Sequence, residues 1–118
     1  LFPNFQVWVG YNGNIVYRFL PNGDDPHSCI FDVMILLRYP EGSKRPDPAD
    51  CIVIPETEPF SSVPELGALG PVFDQDDANL PAVQRGMKAS KKGAVSLASY
   101  QESRIRHLHA TLDNYIKS

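Results

Sequence analysis

The stretch Phe5-Gln6-Val7-Trp8-Val9-Gly10-Tyr11-Asn12-Gly13-Asn14-Ile15-Val16-Tyr17-Arg18-Phe19-Leu20 decides the fold. Two runs rich in β-branched and aromatic residues, Phe5 to Tyr11 and Ile15 to Leu20, flank Asn12-Gly13. Asn-Gly between such runs signals a hairpin, because both central residues of its turn take positive φ. A two-residue loop there sets Trp8 opposite Tyr17 and Val7 opposite Arg18. Pro21-Asn22-Gly23-Asp24-Asp25-Pro26 closes the second run, since this composition does not suit a strand interior. Ser28 to Tyr39 makes a third run. Its odd positions, Cys29, Phe31, Val33, Ile35, Leu37 and Tyr39, are all apolar. Its even positions mix Ser28, Asp32 and Arg38 with Ile30, Met34 and Leu36. One face is thus committed to a core and the other is mixed. The connections are too short for parallel crossovers, so the three strands are expected to pair antiparallel.

The 118 residues fit one domain, and a hydrophobic content of 42% argues against disorder. A net charge of −3 and a pI near 5.5 lack the basic footprint of a nucleic-acid binder. No apolar run approaches the roughly 20 residues of a membrane helix. Leu1-Phe2-Pro3-Asn4-Phe5 carries neither a basic region nor an apolar signal core. Cys29 and Cys51 stand in no metal or redox spacing, which excludes a disulfide scaffold and a four-cysteine zinc site. A reducing, cytoplasmic setting is the default expectation.

Pro40 to Pro64 holds six prolines and reads as an irregular segment, with Cys51-Ile52-Val53-Ile54 as a possible short strand. Loops of this length are usually functional or wrap another part of the protein. After Pro64 the period changes. Phe73, Asp76, Leu80, Val83 and Met87 recur at helical spacing. Pro81 interrupts the pattern, so a kink is expected, or two helices with Asn79 capping the second. Ala89 to Ala94 reads as a turn. Ser96 to Ile116 forms a final helix with Leu97, Gln101, Ile105, Leu108 and Leu112 on one stripe. Ser99 and Glu102 have capping-box spacing, and Glu102 and Arg106 form an i,i+4 pair.

Asp76 carries the chemical interest, because it occupies a stripe position where an apolar side chain is expected. A buried lone carboxylate needs a cation, a donor set or a metal. The bland alternative is that Asp74, Asp76 and Asp77 simply form an acidic first helical turn. His107 and His109 lie about 200° apart on a helix, which keeps them from sharing one metal. Arg85, Lys88, Lys91 and Lys92 form either a solvated helix end or a docking patch for an acidic partner. Trp8, Tyr11, Tyr17 and Phe31 are core aromatics or the lining of a ligand pocket.

Two stretches carry a resemblance. They are Phe73-Asp74-Gln75-Asp76-Asp77-Ala78-Asn79-Leu80-Pro81-Ala82-Val83-Gln84-Arg85-Gly86-Met87-Lys88-Ala89-Ser90 and Tyr100-Gln101-Glu102-Ser103-Arg104-Ile105-Arg106-His107-Leu108-His109-Ala110-Thr111-Leu112-Asp113-Asn114-Tyr115-Ile116. Together with Leu1-Phe2-Pro3-Asn4, the hairpin and the Pro21–Pro26 loop, they resemble the catalytic domain of Rieske-type aromatic-ring-hydroxylating dioxygenase α subunits, at its C-terminal end. The resemblance implies an α+β, partial helix-grip (START/Bet v1-like) fold, an antiparallel sheet with a long C-terminal helix. It further implies a mononuclear Fe(II) held by two histidines and one aspartate, with open positions for O₂ and substrate.

The family's aspartate stands three residues before an asparagine, which points to Asp76 before Asn79, with Asp77 the runner-up. The resemblance also implies a pocket that includes Val72, Phe73 and Leu80, and an aromatic or other apolar substrate. Electrons would arrive from NAD(P)H through a ferredoxin or reductase and a 2Fe-2S cluster, in the cytoplasmic catabolism of aromatic hydrocarbons by an α-subunit oligomer. Nothing here matches the family's histidine motif or its cluster ligands. Residues 1–118 are therefore expected to be a C-terminal portion of the catalytic domain, inactive alone, with exposed apolar residues such as Trp8, Phe31, Ile35 or Leu37. Competing readings are a non-enzymatic module that holds a small hydrophobic ligand, and an inactive remnant. Asp76 is expected to share a cavity with Leu80 and Val83. An exposed Asp76 beside an inward Asp77 would pass the role to Asp77.

Overall fold

β2 (Asn14–Asn22) pairs antiparallel with β1 (Phe5–Val9) on one side and β3 (Asp25–Leu36) on the other, giving a sheet of order β1-β2-β3. The computed structural model describes residues 2–10 and 13–118. Two 3₁₀ turns follow, η1 (Phe60–Ser62) and η2 (Pro64–Leu69), then α1 (Gly70–Asp77), α2 (Leu80–Ala89) and α3 (Ser103–Lys117). The chain divides into two units: Leu1–Asp47 with Leu97–Ser118, and Pro48–Ser96. The architecture is α+β. The first unit combines an antiparallel sheet with a long C-terminal helix, the parts of a helix-grip fold in partial form.

In the first unit Val7 stands opposite Val16, and Trp8 opposite Ile15. This register is displaced by two residues from the one that an Asn12-Gly13 loop would set. A displacement of two leaves every side chain on its face. Trp8 therefore still reaches Tyr17 diagonally, with ring centroids 6.3 Å apart. Gly10 permits the displaced register. Its N–H donates to the Gly13 carbonyl at 3.0 Å, and a Cβ on Gly10 would sit 2.7 Å from that oxygen. Tyr11 and Asn12, on which the expected turn falls, lie outside the described residues.

The segment expected to close the second run instead belongs mostly to the strands. Only Gly23 and Asp24 turn the chain, Gly23 at φ 61°. Prolines cannot donate ladder bonds, and the register is irregular between Pro21 and Asn22. Side chains make up for the missing bonds. The Asp25 carboxylate accepts the His27 N–H at 2.9 Å and the Ser28 hydroxyl at 2.8 Å. The Asn22 amide donates to Ser28 Oγ at 3.1 Å.

Val16, flanked by Val7 and Met34, is buried. It lies on the face with the mixed composition. The all-apolar face carries an aromatic ladder. Phe19 stacks on Phe31 at 4.7 Å, and Phe31 meets Tyr17 edge-on at 5.2 Å. That face remains open, with Trp8 59% and Ile35 36% exposed. Arg18 pairs across the strands with Asp32, not with Val7, donating from Nε at 2.8 Å and Nη2 at 2.6 Å. An exposed pair of this kind contributes about 0–1 kcal/mol.

α3 begins at Ser103, later than its apolar stripe suggests. Glu102 and Arg106 both turn back onto the preceding chain. The Glu102 carboxylate accepts the Ala98 N–H, and the Arg106 guanidinium donates to the carbonyls of Ala98 and Ser99. These contacts replace the expected capping box and the expected Glu102–Arg106 pair. No described side chain of α3 is buried.

In the second unit Cys51–Ile54 forms no strand. It is irregular chain outside the sheet, and Val53 is 85% exposed. Two helices do form around Pro81, the second residue of α2. Asn79 holds the cap position in helical geometry and makes no capping bond; its amide donates to the Gln75 carbonyl at 3.5 Å. A side-chain cap needs extended backbone at that residue.

The chain exposes 10322 Å². Two separate compact bodies with the residues of the two units would expose about 7,700 Å² in all, from the usual scaling of surface with mass. The exposed irregular chain of residues 37–59 and uncovered apolar faces both contribute to the excess. The 118-residue chain on its own is therefore expected to melt over a broad range, bind a hydrophobic dye, and gain nothing from Fe(II). Differential scanning calorimetry checks this, and a sharp, iron-dependent transition would contradict it. Gly10→Ala should weaken the β1–β2 pairing by about 1–3 kcal/mol through overpacking. Loss of the Val7–Val16 cross-strand NOEs is the readout, and intact NOEs would contradict the close approach.

Candidate functional site

α1 carries all three candidate carboxylates, and its packing separates them. At about 100° per residue, Phe73, Asp77, Gly70 and Asp74 fall in that order within one arc of roughly 100°. Asp76 lies about 60° away on the other side of Phe73. Burial follows this arc. Gly70 and Phe73 are buried, Asp74 and Asp77 are half-buried, and Asp76 is exposed.

η1 supplies the surface against which the arc packs. Phe60 meets Phe73 edge-on at 5.7 Å. A Cβ on Gly70 would lie 2.8 Å from Ser61 Cα, so only glycine lets the two backbones approach so closely. Asp74 completes the contact. Its Oδ1 accepts the Phe60 N–H at 2.5 Å, and its Oδ2 accepts the Ser61 N–H at 3.2 Å. η1 has no side-chain cap of its own, since Pro59 holds that position. Asp74 thus satisfies the free N–H groups at its start from outside the element.

The carboxylates of Asp76 and Asp77 have neither hydrogen bond nor ion pair among the described residues. Asp76 shares its exposure with Leu80 and Val83, which are 51% and 56% exposed. No cavity closes over these three within the described chain. Of the candidate pocket residues, Phe73 is buried against Phe60, whereas Val72 and Leu80 are exposed. A groove of about 180 Å³ lies elsewhere in the unit, between Ile52–Pro55 and Ser62–Glu65, and none of the three lines it.

His107 and His109 stand on the continuous helix α3, both exposed. His27 sits beside the β2–β3 turn. Among the described residues no group of three or more His, Cys, Asp or Glu is placed to hold a metal. Arg85, Lys88, Lys91 and Lys92 are all exposed, and Lys92 donates to the Ser96 hydroxyl. Sequence reasoning missed Asp74 and Gly70 as the residues that seat α1. The available signal was the position of Gly70 and Asp74 on one side of Phe73, at helical phase.

No helix among the described residues is long and apolar enough to cross a membrane. No curated protein and no solved structure matches the chain significantly. A family model described as ring hydroxylating alpha subunit (catalytic domain) matches residues 1–118. That match spans the sheet, the acidic helix α1 and the terminal helix α3 alike, and on it the chain belongs to the family of ring-hydroxylating oxygenase α-subunit catalytic domains.

Proposed function

We propose that this chain is the C-terminal part of an oxygenase catalytic domain and contributes the carboxylate ligand of its mononuclear Fe(II) from the Asp76–Asp77 pair. Oxygenases of this family are oxidoreductases that use mononuclear iron and a Rieske cluster. Spacing from Asn79 favours Asp76; burial favours Asp77. The observation that carries the reading is the state of Asp77, half-buried with no partner among the described residues. A carboxylate in open water needs no cation, and of the two Asp77 is the less exposed. Asp77 is accordingly the assigned ligand and Asp76 the alternative.

A carboxylate oxygen suits divalent iron, and a facial set of two histidines and one carboxylate leaves positions open. The residues here fit as one anionic donor of such a set and do not complete it. When bound, iron supplies O₂ activation for hydroxylation of an aromatic or other apolar substrate. This chain's own part is to hold the anionic donor on a fixed helix and to present apolar side chains around it. Val72 and Leu80, exposed beside the acids, would meet substrate once the rest of the domain covers them. Electrons would come from NAD(P)H through a ferredoxin or reductase and a 2Fe-2S cluster outside this chain, in a cytoplasmic α-subunit oligomer. The chain alone would be inactive.

Iron content of the intact α subunit tests the assignment. Asp77→Ala should lose bound iron and activity, and Asp76→Ala should retain both. The reverse pattern passes the role to Asp76. Full iron in both variants would refute the reading.

A further inference from the structure

We propose that Asp74 is a positioning residue for the metal ligand: by gripping the start of η1 it fixes where α1 presents the next carboxylate. This rests on the reading of Asp77, or Asp76, as the ligand. Three independent contacts hold α1 to η1: the Asp74 carboxylate on the Phe60 and Ser61 amides, the Gly70–Ser61 backbone approach, and the Phe73–Phe60 ring contact. α1 is an eight-residue helix, so an anchor at Asp74 acts directly on its last turn. Asp74 and Asp77 are also i,i+3 neighbours, whose side chains lie on one side of a helix.

The division of roles follows from hydrogen bonding. Asp74 has donors for both of its carboxylate oxygens, while Asp77 has none among the described residues. Two like charges one turn apart repel. Directing the Asp74 carboxylate onto backbone N–H groups keeps it off the cation and leaves Asp77 as the free donor. Freed from η1, α1 could rotate or tilt, and Asp74 could compete for the metal.

The test compares variants of the intact α subunit by Co(II) titration, with the Co(II) visible spectrum as a report on ligand geometry, and by amide exchange at Phe60 and Ser61. Asp74→Ala should expose those two amides, retain the full metal stoichiometry, and weaken affinity 10–100-fold, as loss of an outer-shell support does. Asp74→Asn keeps a carbonyl acceptor and should stay within a few-fold of the parent. Gly70→Ala removes no carboxylate but forces α1 off Ser61, and should weaken affinity to the same degree. This second lever keeps the test decisive where Asp74→Ala fails to fold. Parent-like affinity and spectrum in Asp74→Ala or Gly70→Ala, with metal lost in Asp77→Ala or Asp76→Ala, overturns the positioning role and leaves the ligand assignment standing. Metal retained in both ligand variants overturns the assignment itself. Metal lost in Asp74→Ala while the Phe60 and Ser61 amides stay protected makes Asp74 a ligand and overturns the proposal.

Discussion

The Asp74 carboxylate on the N–H groups of Phe60 and Ser61 is the contact on which the second unit depends. η1 is a single turn, too short to persist on its own bonds, and Pro59 denies it a local side-chain cap. α1 is short as well, and short helices in water are marginal without a packed face. Each element supplies what the other lacks. Phe73 gains a covered position, and two orphan donors gain a charged acceptor. A charge-assisted bond of this kind is worth more than a neutral one. That makes the contact structural first, and chemical only through what it leaves free.

The first unit is held by a different means. Its sheet rests on backbone ladders and cross-strand pairs, with Val16 its buried side chain among the described residues and an aromatic ladder half-open on the other face. Glu102 and Arg106 end the irregular chain before α3 by binding the N–H and the carbonyl of one residue, Ala98. The apolar stripe of Ile105, Leu108 and Leu112 stays 40–44% exposed. Stripes and faces of this size are stable only when they are covered. Their presence fits the partial helix-grip form of this unit.

Much of this was legible in local pattern. Alternating apolar residues announced β2 and β3, and Pro81 announced the break between α1 and α2. The hairpin was legible but its register was not, because two registers that differ by two residues place the same side chains on the same faces. Gly10 distinguishes them through a backbone approach to Gly13 that no periodicity encodes. The capping box at Ser99 failed for a similar reason. Glu102 and Arg106 found partners in the backbone of Ala98 and not in each other.

The site divides along the same line. The sequence by itself determined the α+β class and the acidic helix, and its stripe singled out Asp76. That stripe, drawn through Phe73, Asp76 and Leu80, assumes one continuous helix whose covered face is centred between Phe73 and Asp76. Tertiary structure moved that centre. η1 packs against one side of Phe73, so the inward arc runs through Asp77 and Gly70 to Asp74 and leaves Asp76 in water. Helical periodicity says which residues share a face, and only the partner that covers the face decides where its middle lies.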